Sequence, residues 1–270
     1  MQISKSELKY LRSLTQKKIR HSEKRFILEG WRALKDLLNS PFDVDMVAVL
    51  PKYIGDADYK RILDQVRERK VPLKEISEKD LRQVSETVHA QGVVAVVRQR
   101  VVSLAQGLPE RAGMVVAADS VSDPGNLGSI LRTSDWFGVD CVLLGKGSVE
   151  LYNDKVIRST SGSLFHVPVV EGVDLPAAAK DLKDLGYTLA ALSGDEKMAY
   201  DKVNWGARTV LIVGSEAHGV SKEVREVADV VVKIPRVGKA ESLNVGVACG
   251  IVLSHLRLLY HQPSHEERHR

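Results

Sequence analysis

Six short apolar runs in the second part of the chain, each followed by a stretch with helical spacing or a polar loop, constrain the fold most strongly. These runs are MVVAAD (114–119), CVLLG (141–145), VPVV (167–170), TLAALS (188–193), TVLIVG (209–214) and VVVKIP (230–235). Polar residues do not alternate with apolar ones inside them, so both faces of each predicted strand are expected to be buried. The pattern therefore predicts a mostly parallel sheet with helices on both faces.

The first part of the chain alternates in the same way over shorter segments. It predicts strands at 26–30, 44–50, 71–77 and 91–100, and helices at 31–38, 59–70 and 77–84. In the second part, helices are predicted from the turn at 123–125 onward and at 153–164, 175–185, 221–227 and 243–260. Residues 101–112 lose the periodicity and contain Gly107 and Pro109, which is typical of a linker. We predict an α/β protein with two domains, 1–105 and 106–270.

Composition excludes several classes of protein. No apolar run approaches the roughly 18 residues that span a bilayer, and the basic start lacks the apolar core of a secretory signal, so a cytoplasmic location is expected. Cys141 and Cys249 each lie in an apolar stretch and are predicted to be buried, reduced thiols. The histidines of the polar tail, HQPSHEERHR, lack ligand spacing, so no metal site is predicted.

Positive charge is concentrated in the first domain. Residues 1–105 contain 21 Lys and Arg against 14 Asp and Glu, a balance of +7, whereas residues 106–270 contain 18 against 21. The densest part has only Glu7 and Glu23 beside Lys5, Lys9, Arg12, Lys17, Lys18, Arg20, Lys24 and Arg25. A clustered positive field is typical of a surface that binds a polyanion, although a solvated, lysine-rich helix would look the same.

Three loops that follow predicted strands contain the candidate functional residues. They are SDPGNLGSILR after 114–119, GSEAHGVS (214–221) and IPRVGKAESLNVG (234–246). In open parallel sheets, ligands bind beyond the carboxyl ends of the strands, where helix starts present free backbone donors. The three loops are therefore expected to form one site.

Each loop also has a simpler interpretation. Asn126 and Arg132 could contact a common phosphate or ribose, but Asn126 could equally cap the helix while Arg132 is only solvated. Gly214 and Gly219 bracket Glu216 and would permit close approach to a ligand, yet glycine-rich turns after strands are common. Ser242, two residues before Asn244, is also a plausible N-cap of the last helix.

In combination and in this order, the loops resemble the three motifs of the SpoU/TrmH family of RNA ribose 2′-O-methyltransferases. The matching patterns are Asn-x-Gly-x-x-x-Arg, Gly-x-Glu-x-x-Gly and Ile-Pro followed by Ser-Leu-Asn, and the resemblance spans about 112–260. KRFILEGWRAL also resembles the Phe-x-x-Glu-Gly entry of the substrate-binding domain often found before this catalytic domain. The resemblance implies a SPOUT-type α/β methyltransferase domain with a deep trefoil knot, a rare exception to the rule that protein chains are not knotted.

The resemblance also implies S-adenosylmethionine as cofactor and assigns roles to individual residues. The implied cofactor contacts are Leu192, Ser193, Gly194, Gly214, Glu216, Gly219, Ile234 and Leu243, and the implied catalytic residues are Asn126, Arg132, Glu216, Ser242 and Asn244. The resemblance implies that Arg132 contacts the reacting ribose or its phosphate, where it has been proposed to act as the base. Because an arginine pKa lies above about 12, we prefer Arg132 as an electrostatic clamp and keep the base as the alternative.

By the same resemblance, the first domain binds RNA phosphates, ribosomal RNA is favoured over transfer RNA, and the chain forms a homodimer through its apolar last helix. The expected RNA contacts are Lys17, Lys18, Arg20, Lys24 and Arg25. That helix would look similar if it packed only on its own sheet. The competing hypotheses are a catalytically silent RNA-binding protein, a tRNA ribose or RNA base methyltransferase, and a small-molecule α/β enzyme, for which no Gly-x-Gly-x-x-Gly or phosphate-loop motif is present.

Overall fold

A computed structural model describes residues 1–85, 91–110, 113–194 and 196–260. The chain divides into two compact units, Met1–Arg100 with Leu151–His166 and Val101–Glu150 with Val167–Arg270. The sequence predicts one boundary, after residue 105, whereas in this division the first unit ends at Arg100 and also includes residues 151–166. The histidine-containing tail, 261–270, lies outside the described residues.

The helices and strands have the following bounds. The helices are α1 (Lys5–Ser13), α2 (Lys17–Glu23), α3 (Trp31–Leu38), α4 (Ala57–Glu68), α5 (Glu78–Leu81), α6 (Leu104–Gly107), α7 (Pro124–Trp136), α8 (Asp154–Thr160), α9 (Leu175–Asp184), α10 (Lys222–Val227) and α11 (Val245–Tyr260). The strands are β1 (Arg25–Glu29), β2 (Val44–Val49), β3 (Leu73–Glu75), β4 (Val93–Arg98), β5 (Gly113–Asp119), β6 (Cys141–Gly145), β7 (Val169–Val173), β8 (Thr188–Leu192), β9 (Arg208–Gly214) and β10 (Val230–Val232).

The second unit contains the predicted parallel sheet. Its six strands follow the order β10-β8-β9-β5-β6-β7, and every pair is parallel. β5, β6 and β9 are buried along almost their whole length, as their unalternating apolar sequences predict. The carboxyl ends of β10, β8, β9 and β5 consequently lie side by side at one edge.

Helices α7 and α11 of this unit pack closely through small residues. A Cβ added to Gly246 would lie 2.9 Å from the Cβ of Ser129, and one added to Gly250 would lie 3.3 Å from Cγ2 of Thr133. A larger residue at either glycine would push the helices apart. This contact fixes the start of α11 against the first turns of α7, where two of the predicted motifs lie.

Several elements differ from the sequence prediction. The helix predicted at 153–164 ends at Thr160, because Ser161 adopts a left-handed conformation with φ 51° and a 3₁₀ turn, Ser163–Phe165, follows. The linker contains the short helix α6, which has a capping box between Ser103 and Gln106. The basic start, for which no elements were assigned, forms α1 and α2.

The first unit is built on a smaller mixed sheet with the order β1-β4-β2-β3. β4 is antiparallel to both β1 and β2, whereas β2 and β3 are parallel. Helix α8, from the segment between β6 and β7, contacts the edge strand β1. Tyr152, just before α8, stacks on the fully buried Phe26 of β1 with ring centroids 4.7 Å apart. These contacts attach residues 151–160 to the first unit and bury the side chain of Phe26.

Both cysteines are buried, as predicted. Cys141 lies in β6 and Cys249 in α11, each with no exposed surface, and burial raises the pKa of both thiols to about 12. Such thiols are protonated near neutral pH and are poor nucleophiles. Among the described residues, no helix is long and apolar enough to cross a membrane.

Candidate functional site

The start of α7 presents Asn126 toward the other two loops. Asp123 is the N-cap, because its side chain accepts a 2.8 Å hydrogen bond from the backbone N–H of Asn126, and Pro124 follows at the first helical position. The interpretation of Asn126 as the cap is therefore wrong. The Asp-Pro pair was the sequence signal for this cap, and it leaves the amide of Asn126 free for other contacts.

Three of the predicted catalytic residues are joined by hydrogen bonds. Asn126 donates through Nδ2 to Oε1 of Glu216 at 2.6 Å, and its Oδ1 accepts from Nδ2 of Asn244 at 2.7 Å. These residues come from the three separate loops, 90 and 118 positions away from Asn126. The predicted convergence of the loops is present in the structure.

Asn244, rather than Ser242, caps the last helix. Its Oδ1 accepts from the backbone N–H of Gly246 at 2.9 Å and of Val247 at 3.3 Å. Those contacts are the N-cap pattern for a helix that begins at Val245, so the N-cap interpretation of Ser242 is wrong and the predicted start at 243 is two residues early. The hydroxyl of Ser242 is exposed and bonded to no residue that the structure describes.

The loop with Glu216 is a tight turn held at both ends. Ser215 and Gly219 exchange two backbone hydrogen bonds of 3.0 and 2.8 Å, and a Cβ added to Gly214 would overlap the backbone of Gly219. Gly214 is thus required by the turn itself, which is the simpler of the two interpretations that the sequence offers for it. Sequence reasoning missed Asp119 at the end of β5, which accepts from the backbone N–H of Ser221 at 2.7 Å and fixes the far side of the loop.

The predicted cofactor residues Leu192, Ser193, Gly194 and Ile234 follow the neighbouring strands β8 and β10. Leu192 is paired with Val232, and the N–H of Ser193 donates to the carbonyl of Val232 at 2.9 Å. Leu192 and Ile234 are half-buried, and an added Cβ would meet nothing within 4 Å at Gly194.

Free space also lies beside the two remaining predicted cofactor residues, Gly219 and Leu243. Gly219 lies at φ +68° with free space beside it, and the side chain of Leu243 is 50% exposed. Apolar side chains beside open glycine backbone suit a purine ring that is recognised by backbone groups. The residues present therefore fit S-adenosylmethionine.

Arg132 lies on α7, six residues after Asn126. Its side chain is exposed and has no hydrogen bond or ion pair with any part of the chain that the structure describes. It is therefore available to an external anion. It is connected to the three hydrogen-bonded residues through α7, whose first turn contains Asn126.

A groove of about 740 Å³ runs between α7 and α11. Its lining combines small and apolar residues, such as Gly250 and Leu258, with the polar side chains of Asn244, Tyr200 and His255. Trp136 is 84% exposed on α7, and Val247 and Leu258 of α11 are 53% and 71% exposed. This apolar surface lies on the two helices that hold Arg132 and Asn244.

The predicted RNA-binding residues divide into two groups. The side chains of Lys17, Lys18 and Lys24 are exposed and have no bonded partner among the described residues. Arg20 is only 4% exposed and donates to the carbonyl oxygens of Leu14 and Thr15, so it holds the turn between α1 and α2 and is corrected to a structural residue.

Arg25 also has a structural partner. It is half-buried and forms an ion pair with Asp45, whose carboxylate also binds Arg98. This pairing raises the pKa of Arg25. The first unit thus offers exposed lysines, and no arginine of the predicted set, to a polyanion.

No group of metal-ligating side chains occurs within the described ranges.

The fold and the site define an α/β methyltransferase that acts on RNA. Residues 113–254 match the SpoU rRNA Methylase family, and residues 5–95 match the MRM3-like substrate binding domain. The chain belongs to the SpoU family. The predictions of an S-adenosylmethionine-dependent RNA 2′-O-ribose methyltransferase and of S-adenosylmethionine as cofactor are thereby confirmed.

Relatives cover almost the whole chain. The chain is 34% identical over 251 residues to the 23S rRNA (guanosine(2553)-2′-O)-methyltransferase RlmP of Bacillus subtilis, which covers 93% of this chain and 96% of that protein. The AdoMet-bound rRNA methyltransferase of Sinorhizobium meliloti superposes with a TM-score of 0.82 at 26% identity, covering 98% and 99% of the two chains. AviRb of Streptomyces viridochromogenes has the same fold, with a TM-score of 0.85 at 22% identity over 97% and 100%.

Proposed function

We propose that this protein transfers a methyl group from S-adenosylmethionine to a ribose 2′-hydroxyl of ribosomal RNA. The hydrogen-bonded chain from Glu216 through Asn126 to Asn244 supports the proposal most directly, because it joins residues from all three family motifs into one polar surface. The substrate-binding domain match and the rRNA activity named for the Bacillus subtilis relative favour ribosomal over transfer RNA. A ribosomal RNA substrate also supports a cytoplasmic location.

The protein's contribution to catalysis is mainly positional. S-adenosylmethionine supplies a methyl group already activated by the adjoining sulfonium charge. The chain must then hold the ribose 2′-oxygen in line with that group, and such positioning can contribute much of the acceleration. We assign Asn126 and Asn244 to orienting the ribose and Glu216 to fixing the amide of Asn126.

We assign Arg132 as an electrostatic clamp on the reacting ribose or its phosphate. A guanidinium presents parallel donors that match a phosphate, and it stays charged near pH 7. Its exposed, unpaired state among the described residues leaves those donors available. The alternative, an uncharged Arg132 that removes the 2′-hydroxyl proton, requires a form that is scarce at neutral pH.

We further propose that the loops after β9 and β10 form a trefoil knot that surrounds the cofactor. The match of residues 113–254 to the SpoU rRNA Methylase family supports this assignment, and the hydrogen bonds of Asn126 to Glu216 and Asn244 hold both loops at the start of α7.

A homodimer formed through α7 and α11 is also proposed. Trp136, Val247 and Leu258 expose apolar surface there, which burial in a second copy would stabilise. Because Arg132 lies on the same helix, association would place it near the partner's site. We expect the double variant Trp136→Glu, Val247→Glu to be a monomer by light scattering and to lose methyl transfer. A wild type that is itself a monomer would contradict the proposed dimer.

The central test is transfer of radiolabelled methyl groups from S-adenosylmethionine to unmodified transcripts of ribosomal and transfer RNA. The wild type is compared with Arg132→Ala, and the products are digested with nuclease and analysed by mass. We expect a ribose-methylated nucleotide in the ribosomal transcript, made by the wild type alone. Methyl on a base, or on tRNA alone, would contradict the proposed substrate. Absence of both cofactor binding and transfer would favour the silent RNA-binding protein.

A further inference from the structure

The first unit presents exposed positive charge at one edge of its sheet, where two distant parts of the chain meet. Strand β1 forms that edge, and both α2 and α8 contact it. A small cleft of about 40 Å³ is lined from one side by Thr15 and Arg20 and from the other by Ile157 and Arg158. Helix α8 lies within residues 113–254, the range that matches the methyltransferase family, yet it belongs to the first unit.

Backbone contacts connect the basic residues along this edge. The carbonyl of Lys24 accepts from the N–H of Gln99 at 2.8 Å. The next residue, Arg100, donates its N–H to the hydroxyl of Tyr152 at 2.9 Å, and that hydroxyl donates back to the carbonyl of Arg100 at 3.0 Å. Tyr152 directly precedes α8, so Lys24, Arg100 and α8 follow one another in space.

The side chains along this path are cations without bonded partners among the described residues. Lys24, Arg100 and Lys155 are exposed, as are Lys17 and Lys18 on α2. Three acidic groups lie along β1, α2 and α8 near these cations. Asp154 is already engaged by Arg158 at 2.7 Å, Glu29 accepts from the hydroxyl of Ser85 at 2.8 Å, and Glu23 is exposed beside Lys24. Unpaired like charges repel one another, and the arrangement is favourable when a polyanion lies across them.

We propose that Arg100 and Lys155 continue, along the β1 edge, the RNA phosphate-binding surface that begins with Lys17, Lys18 and Lys24. The inference rests on the proposed RNA methyl transfer and adds to it a segment from outside the matched substrate-binding domain. An extended RNA backbone fits this surface because its regularly spaced phosphates can follow a row of cations without any specific base contact. The segment 151–166 would then serve substrate capture.

The test compares Arg100→Ala, Lys155→Ala and the double variant with the wild type. The matched control is Lys79→Ala, an exposed lysine on α5, which follows β3 at the opposite edge of the sheet. Binding to an unmodified large-subunit ribosomal RNA transcript is measured at several salt concentrations. Each lost phosphate contact lowers the slope of log affinity against log salt by about 0.7 to 0.9, so the double variant should lower it by about 1.5 and raise KM for RNA.

The outcomes separate this inference from the proposed function. Cofactor affinity and melting temperature should be unchanged in all variants, since neither side chain has a partner within the described chain. A wild type that methylates the transcript, with a double variant of equal slope and KM, overturns the inference alone. An equal loss in Lys79→Ala overturns it too, because the effect would then be one of net charge. A wild type that neither binds nor methylates RNA contradicts the proposed function itself.

Discussion

Asn126 and Asn244, 118 positions apart, are joined by a side-chain hydrogen bond of 2.7 Å whose direction is fixed by a third residue. The carboxylate of Glu216 can only accept, so Asn126 must turn its NH₂ group toward it. The carbonyl of Asn126 then faces Asn244, which must present its own NH₂ group. The carbonyl of Asn244 is consequently left to cap α11. The carboxylate of Glu216 thus sets the direction of every hydrogen bond in the series from Glu216 through Asn126 to Asn244.

The direction of the hydrogen bond between Asn126 and Glu216 can be reversed by exchanging the amide and the carboxylate. In Asn126→Asp, two carboxylates face each other across the 2.6 Å contact, and we expect methyl transfer to fall about 100-fold, corresponding to roughly 2–3 kcal/mol. In the double variant Asn126→Asp, Glu216→Gln, the new amide can donate to the new carboxylate. Activity should recover at least about tenfold, as expected for coupled partners.

The single variant Glu216→Gln serves as the control for that experiment. Its amide can still present an oxygen to Asn126, so a loss below about tenfold is expected. The measurement is kcat/KM for a ribosomal RNA transcript. If the double variant is no more active than Asn126→Asp alone, Glu216 and Asn126 are not coupled in catalysis, and the prediction is wrong.

The loop with Glu216 depends on the absence of a side chain at Gly214. A Cβ there would overlap the backbone of Gly219 and Val220, and backbone cannot move aside as a flexible side chain can. We expect Gly214→Ala to lower the free energy of unfolding by about 3 kcal/mol and to weaken S-adenosylmethionine binding. The matched control is Gly55→Ala, where an added Cβ meets nothing within 4 Å and stability should change by less than about 0.5 kcal/mol. Calorimetry of both variants checks this, and equal melting temperatures would contradict it.

The architecture of the second unit was predictable because its signal is local. The unalternating apolar runs that became β5, β6 and β9 require burial on both faces, and only a parallel sheet between helices supplies it. Convergence of the three loops followed from the same topology, because parallel strands end at one edge. The contacts of Asn126 could not be predicted, since they depend on how residues 90 and 118 positions away are oriented.

Other features could not be predicted because they involve contacts between distant segments. Arg20 and Arg25 have the composition of an RNA-binding stretch, but the fold uses them to hold carbonyl groups and Asp45. The packing of Tyr152 on Phe26, which brings α8 to the first unit, has no periodic signature in the sequence. Burial and pairing of a charged side chain are properties of the tertiary structure.

Glu7 gives the first unit a stability that depends on pH. Hydrogen bonds from the backbone N–H of Ser4 at 2.7 Å and from Lys74 hold its pKa at about 2, below the ordinary 4.5. A lowered carboxyl pKa stabilises the fold above pH 4.5 and ceases to do so as the pH falls toward 2. The difference in melting temperature between wild type and Glu7→Gln should therefore be constant from pH 5.5 to 7 and narrow from pH 4.5 to 3. The control is Glu68→Gln, at an exposed residue of α4 without a bonded partner in the described chain. If the difference in melting temperature between wild type and Glu7→Gln became larger below pH 4.5, the prediction would be wrong.

Arg132 distinguishes the two catalytic hypotheses through Arg132→Lys. The clamp needs two parallel donors, which a single ammonium cannot supply, so kcat/KM should fall about 10- to 100-fold at every pH. If Arg132 were instead the base, lysine with its ordinary pKa near 10.4 would be uncharged more often, and the variant would approach or exceed the wild type as the pH rises from 8 to 10. Because the side chain is exposed and unpaired within the described residues, melting temperature and cofactor affinity should match the wild type in both cases. A pH–rate profile of the two proteins decides between them: parallel curves support the clamp, and curves that converge above pH 9 support the base.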